Sequence, residues 1–247
     1  YANVMKIVSK GFTEGFYYKP RVDLAVLKEY HEGIIALSAC LAGEVARYLQ
    51  RGMYEDAKAA ALRYQDIFGK GNFFLELQDH GIPAQRLVNQ ELLRMHEETG
   101  IDLVATNDVH YTRAEDADPH DILLCLQTNK KLADEDRMRY EGGQYYVKSP
   151  EEMARLFPYA LEALENTHRI AERCHVEIEF GVTKLPKYDV PEGYTSWEYL
   201  NKLCWDGFAE RYPDDTGKLR DQLTYELSII QKMGYVDYFL IVWDFIN

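Results

Sequence analysis

Over its first 110 residues the chain alternates short apolar runs with amphipathic stretches. Residues 34–38 (Ile-Ile-Ala-Leu-Ser), 73–77 (Phe-Phe-Leu-Glu-Leu) and 102–106 (Asp-Leu-Val-Ala-Thr) are bounded by glycine or polar residues and read as buried strands. Between the first two, Met53, Ala57, Ala60, Ala61, Tyr64 and Phe68 fall on one face of a helix over 53–68. Between the second and third, Leu87, Val88, Leu92 and Met95 do the same over 84–98. Strand, helix, strand, helix, strand predicts an α/β fold with a parallel sheet and crossover helices. Three strands do not close a barrel, so the sheet is expected to be part of a larger one.

From residue 116 onward the pattern turns mostly helical. Asp118, Pro119 and Asp121 supply an N-cap, a proline at the first helical position and an acid in the first turn of a helix to about Gln127. Residues 134–144 are charged and glycine-bearing, a loop. Ser149-Pro150-Glu151-Glu152 is a capping box, and 160–174 reads as a further helix. Residues 180–193, with Pro186 and Pro191, read as an extended connector and a domain boundary. Thr195-Ser196-Trp197-Glu198 is another capping box, opening a helix whose apolar face is Trp197, Leu200, Leu203, Cys204 and Phe208. One more helix spans 219–233 and stops at Gly234. The chain starts inside a helical pattern (Val4, Ile7, Val8) without an initiator methionine and closes on the apolar run 238–246. It reads as a stretch of a longer protein, expected to self-associate through strand edges and aromatic side chains left uncovered.

Charge narrows the function classes. Of 247 residues, 28 are Lys or Arg and 41 are Asp or Glu, for a net charge of −13. Residues 1–30 hold five basic and three acidic side chains, so the acidic excess belongs to the rest of the chain. Such a surface repels a phosphate backbone and argues against non-specific duplex binding; no nucleic-acid-binding residue is singled out. Four scattered cysteines without a C-x-x-C pair exclude a disulfide scaffold and point to a reducing, cytoplasmic location. The longest apolar run, 238–243, is far short of the roughly 20 residues a membrane helix needs, so no membrane association is expected.

Candidate chemistry sits just past the strands, because sites in parallel α/β sheets lie at the carboxyl ends. The first strand leads to Cys40, the second to Gln78, Asp79 and His80, the third to Asn107, Asp108 and His110. In extended backbone residues i and i+2 point the same way, so Asp108 and His110 can offer one ion a carboxylate oxygen and an imidazole nitrogen. A Cys40 thiolate would complete a mixed set suited to zinc. Each residue has a structural alternative: Cys40 as a small buried hydrophobe, Asp108 as a helix cap, His80 as a locally bonded turn residue, Glu76 as a buried partner for a base. His120, at a helix start, is expected in solvent, and the Tyr17-Tyr18 and Tyr145-Tyr146 pairs read as packing rather than base-stacking platforms.

Five segments add a resemblance. Residues 10–23 (Lys-Gly-Phe-Thr-Glu-Gly-Phe-Tyr-Tyr-Lys-Pro-Arg-Val-Asp), 36–44 (Ala-Leu-Ser-Ala-Cys-Leu-Ala-Gly-Glu), 74–81 (Phe-Leu-Glu-Leu-Gln-Asp-His-Gly), 104–111 (Val-Ala-Thr-Asn-Asp-Val-His-Tyr) and 120–128 (His-Asp-Ile-Leu-Leu-Cys-Leu-Gln-Thr) resemble, in order and spacing, the alpha subunits of bacterial replicative DNA polymerase III that carry a polymerase-and-histidinol-phosphatase (PHP) domain. The resemblance implies part of a distorted PHP-type β/α barrel over 1–180, a connector over 181–194, and over 195–247 the helical start of the polymerase palm and thumb region. It implies a polynuclear Zn or Mn centre at the strand ends, of metal-dependent phosphoesterase or 3′–5′ proofreading character. Cys40 matches the family's thiolate ligand, and Asp108 and His110 its D-x-H metal motif. The family's remaining ligands, an H-x-H pair among them, lie upstream of this stretch, so weak or no specific metal binding is expected of these 247 residues alone. Residues 225–247 resemble the start of the palm. The family's glycine-rich nucleotide-binding stretch and catalytic aspartates come later, so no catalytic residue is assigned here and the stretch alone is expected to be inactive. Implied for the whole polymerase are Mg²⁺ at its own site, primer–template DNA, deoxynucleotides, a sliding clamp and a proofreading subunit. The alternative is a non-catalytic module that stabilises the polymerase core and docks the proofreading subunit.

Overall fold

A computed structural model describes residues 1–182, 184–215 and 217–247; position 183, within the expected connector, lies outside the described residues. The chain divides into two compact units, residues 1–175 and 176–247, with the division just ahead of the expected connector.

In the first unit, β1 (Ala36–Leu37), β2 (Phe73–Leu77) and β3 (Leu103–Ala105) form, among the described residues, an open parallel sheet in the order β1-β2-β3. Ala36 pairs with Phe73 and Leu75 with Leu103. Between them run α3 (Glu44–Gln50), α4 (Tyr54–Phe68) and α5 (Pro83–Thr99); α1 (Ala2–Thr13) and α2 (Leu24–Glu29) precede the sheet, and α6 (Ala117–Thr128), α7 (Pro150–Leu156) and α8 (Leu161–Glu172) follow it. β2 is the centre of the core: Phe73, Leu75 and Leu77 on one face and Phe74 on the other are all buried, Leu75 and Leu77 at 0% exposure. A strand covered on both faces needs such a continuous apolar run. Ala57, Ala60 and Ala61 on α4 are small enough to let that helix lie close, and α5 contributes Val88, Leu92 and Met95. α8 packs on β3, where Asn166 donates from its side-chain amide to the Leu103 carbonyl at 2.8 Å.

Several details depart from the sequence pattern. β1 is two residues long rather than five, and just past it Ala39 adopts φ +65° and turns the chain. Met53 (39% exposed) and Leu87 (50%) lie outside the buried faces expected to include them. The inner face of α5 is instead Gln85, Val88, Asn89, Leu92 and Met95, two of them polar. α2 and α3 are too short for periodicity to reveal, although Asp23 caps α2 by accepting from the Val26 N–H at 3.0 Å. A 3₁₀ turn at Ala114–Asp116 leads into α6, so Asp116 precedes the helix and Asp118 falls inside its first turn instead of capping it. α8 stops at Glu172. Tyr17 and Tyr18 meet each other edge-on at 4.6 Å but remain exposed, against the expectation of packing. The capping boxes at Ser149–Glu152 and Thr195–Glu198 form as read.

In the second unit, α9 (Ser196–Arg211), α10 (Lys218–Lys232) and α11 (Val236–Ile246) surround Leu200, Leu227, Val236 and Leu240, and Tyr188 and Val190 pack against them. Asp237 ties the segment before α9 to α11, accepting from the Tyr188 N–H at 3.1 Å and the Ser196 hydroxyl at 2.8 Å. Among the described residues no helix is long and apolar enough to cross a membrane.

Charge joins α4 to α5 at one point. The Glu98 carboxylate accepts from Lys58 (2.7 Å) and Tyr54 (3.0 Å) on α4 and from Arg94 (2.9 Å) on its own helix. The Lys58 ammonium, then Tyr54 and Arg94, pull Glu98 from an ordinary 4.5 down to about 2. Burial, then the Glu98 carboxylate, pushes Tyr54 up to about 12.

Two outcomes follow. Leu75→Ala empties space at the centre of β2 and is expected to cost about 2–5 kcal/mol in urea unfolding, against less than about 0.5 kcal/mol for Leu87→Ala. Because the folded-state pKa of Glu98 lies below its unfolded value, its stabilisation is complete above pH 4.5 and fades as pH falls through 2. Glu98→Gln is therefore expected to lower the melting temperature at pH 7, with the difference from wild type vanishing below pH 2.

Candidate functional site

Backbone groups that leave the sheet at the carboxyl ends of the strands no longer have a ladder partner, and side chains take over that role. The Ser38 hydroxyl accepts from the Glu76 N–H at 2.8 Å, tying the end of β1 to β2. Asn89 on α5 donates to the Gln78 carbonyl at 3.0 Å. Glu76 accepts from the Thr106 hydroxyl and, at 3.1 Å, from the Gln78 amide; its partners are neutral groups, not the base expected for it.

His80 is 3% exposed and held on three sides. Its N–H donates to Gln85 Oε1 at 2.8 Å, while Gln85 Nε2 donates back to His80 Nδ1 at 2.9 Å. That leaves Nε2 to carry the proton, and it lies 2.8 Å from the Asn107 carbonyl. Tyr145 stacks on the ring at 4.2 Å, nearly parallel. The local bonding expected of His80 is present, in the interior rather than at a surface turn, and both ring nitrogens are engaged within the protein.

β3 delivers Asn107, Asp108 and His110. Asp108 sits at φ +42°, a left-handed conformation that costs an L-residue about 1 kcal/mol or more and that aspartate tolerates better than most. No helix starts there, so Asp108 is not a helix cap. His110 donates its N–H to the Tyr145 carbonyl at 2.8 Å and packs against Tyr140 at 4.3 Å. Tyr111, Tyr140 and His120 close around it; His120, expected in solvent, is half-buried with its ring 5.6 Å from that of His110. Lys148 reaches in from the loop before α7, donating to Asn107 Oδ1 at 3.1 Å and to the Gln144 carbonyl, with its ammonium over the Tyr146 ring. Burial lowers its pKa, opposed by Glu152 and Asp79.

The Asp108 carboxylate Oδ1 and His110 Nε2 are 3.3 Å apart, and both side chains are partly exposed. Two donors each about 2.0–2.1 Å from a tetrahedral ion stand about 3.3 Å apart, so the pair fits two positions of a zinc-like coordination shell. Cys40 follows β1, with β2 lying between that strand and β3. Past the turn at Ala39, Cys40 is exposed and borders a narrow cleft with Glu76, Gln78 and Gln85. Among the described residues, no three His, Cys, Asp or Glu side chains are grouped so as to hold a metal ion. Sequence reasoning missed Lys148 and Tyr140, and it placed Asn107 at the strand end and His120 at a helix start without seeing that they meet the pair. The loop that supplies two of them is polar and aperiodic, and offers no pattern to read.

Comparison with known proteins bears on this geometry. Residues 1–80 match the PHP domain family, a span that takes in Cys40 and ends before Asp108, and residues 198–247 match the bacterial DNA polymerase III alpha NTPase domain. DNA polymerase III subunit alpha of Borreliella burgdorferi is 46% identical over 249 residues, covering all of this chain and 22% of the relative. The resemblance to DNA polymerase III alpha subunits runs the whole length of the chain. The Treponema pallidum subunit is 43% identical over 248 residues (all of this chain, 21% of the relative), and that of Deinococcus radiodurans 42% over 245 (96% and 18%). The chain thus spans about a fifth of the length of the curated relatives it matches.

The His80 assignment has a direct check. In ¹⁵N-histidine spectra the His80 ring proton is expected on Nε2, facing the Asn107 carbonyl, and His80→Ala, which strips partners from the Asn107 carbonyl and Gln85, is expected to cost about 2–4 kcal/mol in urea unfolding.

Proposed function

We propose that this chain is part of a bacterial replicative DNA polymerase III alpha subunit, and that Asp108, His110 and Cys40 contribute ligands to a metal-dependent phosphoester-cleaving centre in its PHP region. The observation that carries the reading is the 3.3 Å separation of Asp108 Oδ1 and His110 Nε2 at the carboxyl end of a parallel strand. Asp108 and His110 would hold two positions of a Zn²⁺ or Mn²⁺ ion, which would supply Lewis-acid chemistry toward water and a phosphoester. Within the chain, Asp108 offers a carboxylate oxygen and His110 an imidazole nitrogen. The Cys40 sulfur would come from beyond the end of β1, two strands from β3, and Tyr140 and Tyr145 pack against His110. The whole polymerase takes primer–template DNA and deoxynucleotides, uses Mg²⁺ at a separate site, works in the cytoplasm, and assembles with a sliding clamp and a proofreading subunit.

One observation favours a second reading, a non-catalytic docking module. On α6, Ile122, Leu123 and Leu126 are exposed, Leu126 at 74%, on a chain with a strong acidic excess. The two readings separate in the full-length protein. Replacing Asp108 and His110 together by Ala is expected to remove bound zinc or manganese from elemental analysis and to lower hydrolysis of a mismatched primer 3′ end by about 100-fold or more. Unchanged metal content sinks the centre. Loss of a bound proofreading subunit in Leu126→Asp, with metal content intact and hydrolysis absent throughout, establishes the module instead.

A further inference from the structure

Asn107 is the last residue before Asp108, and its carbonyl and both ends of its amide are taken by three different residues. Its carbonyl accepts from His80 Nε2 at 2.8 Å, its Oδ1 accepts from Lys148 Nζ at 3.1 Å, and its Nδ2 donates to the Tyr146 carbonyl at 2.6 Å. Two residues past Asp108, the His110 N–H is held by the Tyr145 carbonyl, and the Tyr145 ring stacks on His80. The contacts close a circuit: His80 to Asn107, through Asp108 to His110, to Tyr145 and back to His80. Asp108 lies inside it at φ +42°. Left-handed backbone lacks the regular alternation of a strand, so the facing of Asp108 and His110 does not come from β3 itself. It comes from anchors on either side.

We propose that Asn107 is a positioning residue for the Asp108–His110 pair, fixing the turn between them through its simultaneous hold on His80, Tyr146 and Lys148. The proposal rests on the reading of that pair as metal-binding. Leucine matches asparagine in size and offers none of the side-chain bonds, so Asn107→Leu isolates the effect. Outer groups that orient ligands matter in this way at metal sites generally, and their loss typically weakens binding 10–100-fold.

The test uses the full-length protein and two readouts, amide hydrogen exchange without metal and Zn²⁺ affinity by competition with a chromophoric chelator. Asn107→Leu is expected to speed exchange across 107–111 by about tenfold or more while β2 keeps its protection, and to weaken Zn²⁺ binding by about 10–100-fold. Asp108→Asn is expected to weaken Zn²⁺ comparably without speeding exchange at His110. Unchanged exchange over 107–111 in Asn107→Leu overturns the positioning role, whatever the metal result. If Asp108→Asn leaves Zn²⁺ affinity untouched, the metal reading fails, and the exchange comparison alone still decides whether Asn107 fixes the turn. Should Asn107→Leu also lose protection in β2, Lys148→Met removes a single hold: a rise of about threefold in exchange over 107–111 sustains the proposal, and none overturns it.

Discussion

The structure of the first unit depends on one constraint, the burial of β2 on both faces. With Phe73, Leu75 and Leu77 buried on one face and Phe74 on the other, β2 pairs in parallel with both neighbours and the chain returns between them through helices. All three strands therefore end on the same side of the sheet. At that end the ladder stops, while the chain is still partly buried, and backbone N–H and C=O groups need partners that water supplies only in part. Gln85 and Asn89 from α5, His80 from β2 and the 144–148 loop supply them. The polar cluster at the strand ends is thus first a consequence of packing.

That origin explains why the cluster is specific enough to position chemistry. Its bonds around Asn107 span segments far apart in sequence: His80 to Asn107, Asn107 to Tyr146, Lys148 to Asn107. Partly buried amides and imidazoles satisfied in this way have few alternative arrangements, because any rearrangement leaves a donor or acceptor without a partner. The strained turn at Asp108 is held by neighbours that the fold requires independently.

What is legible in the sequence follows from the same distinction. β2, the alanine face of α4 and both capping boxes are readable because local pattern and burial agree there. The register of α5 is only half readable. Apolarity selects Leu87 with Val88, whereas the helix turns Gln85 and Asn89 inward to serve the strand ends, and a rule that equates inside with apolar cannot see them. The course of the chain into Cys40 is not legible, because Ala39 enters the left-handed region, which its side chain does nothing to announce. Asp108-x-His110 is found as a pair, yet for a reason other than strand alternation. The loop partners, Lys148 and Tyr140 among them, carry no periodic signal at all.

The spacing of Asp108 and His110 also separates a hydrogen-bonded couple from a pair of ligands. A charge-assisted N–H···O bond closes to about 2.7–2.9 Å, and nothing in the side chains themselves would stop it. Here the backbone on both sides is anchored, Asn107 by three bonds and His110 by its N–H, and the donors stand at 3.3 Å. With 45% of the Asp108 side chain and 29% of His110 open to solvent, water solvates both groups and the separation carries little electrostatic cost. Two polar atoms held apart by surrounding structure, facing one point and reachable from solvent, are an arrangement that core packing does not demand.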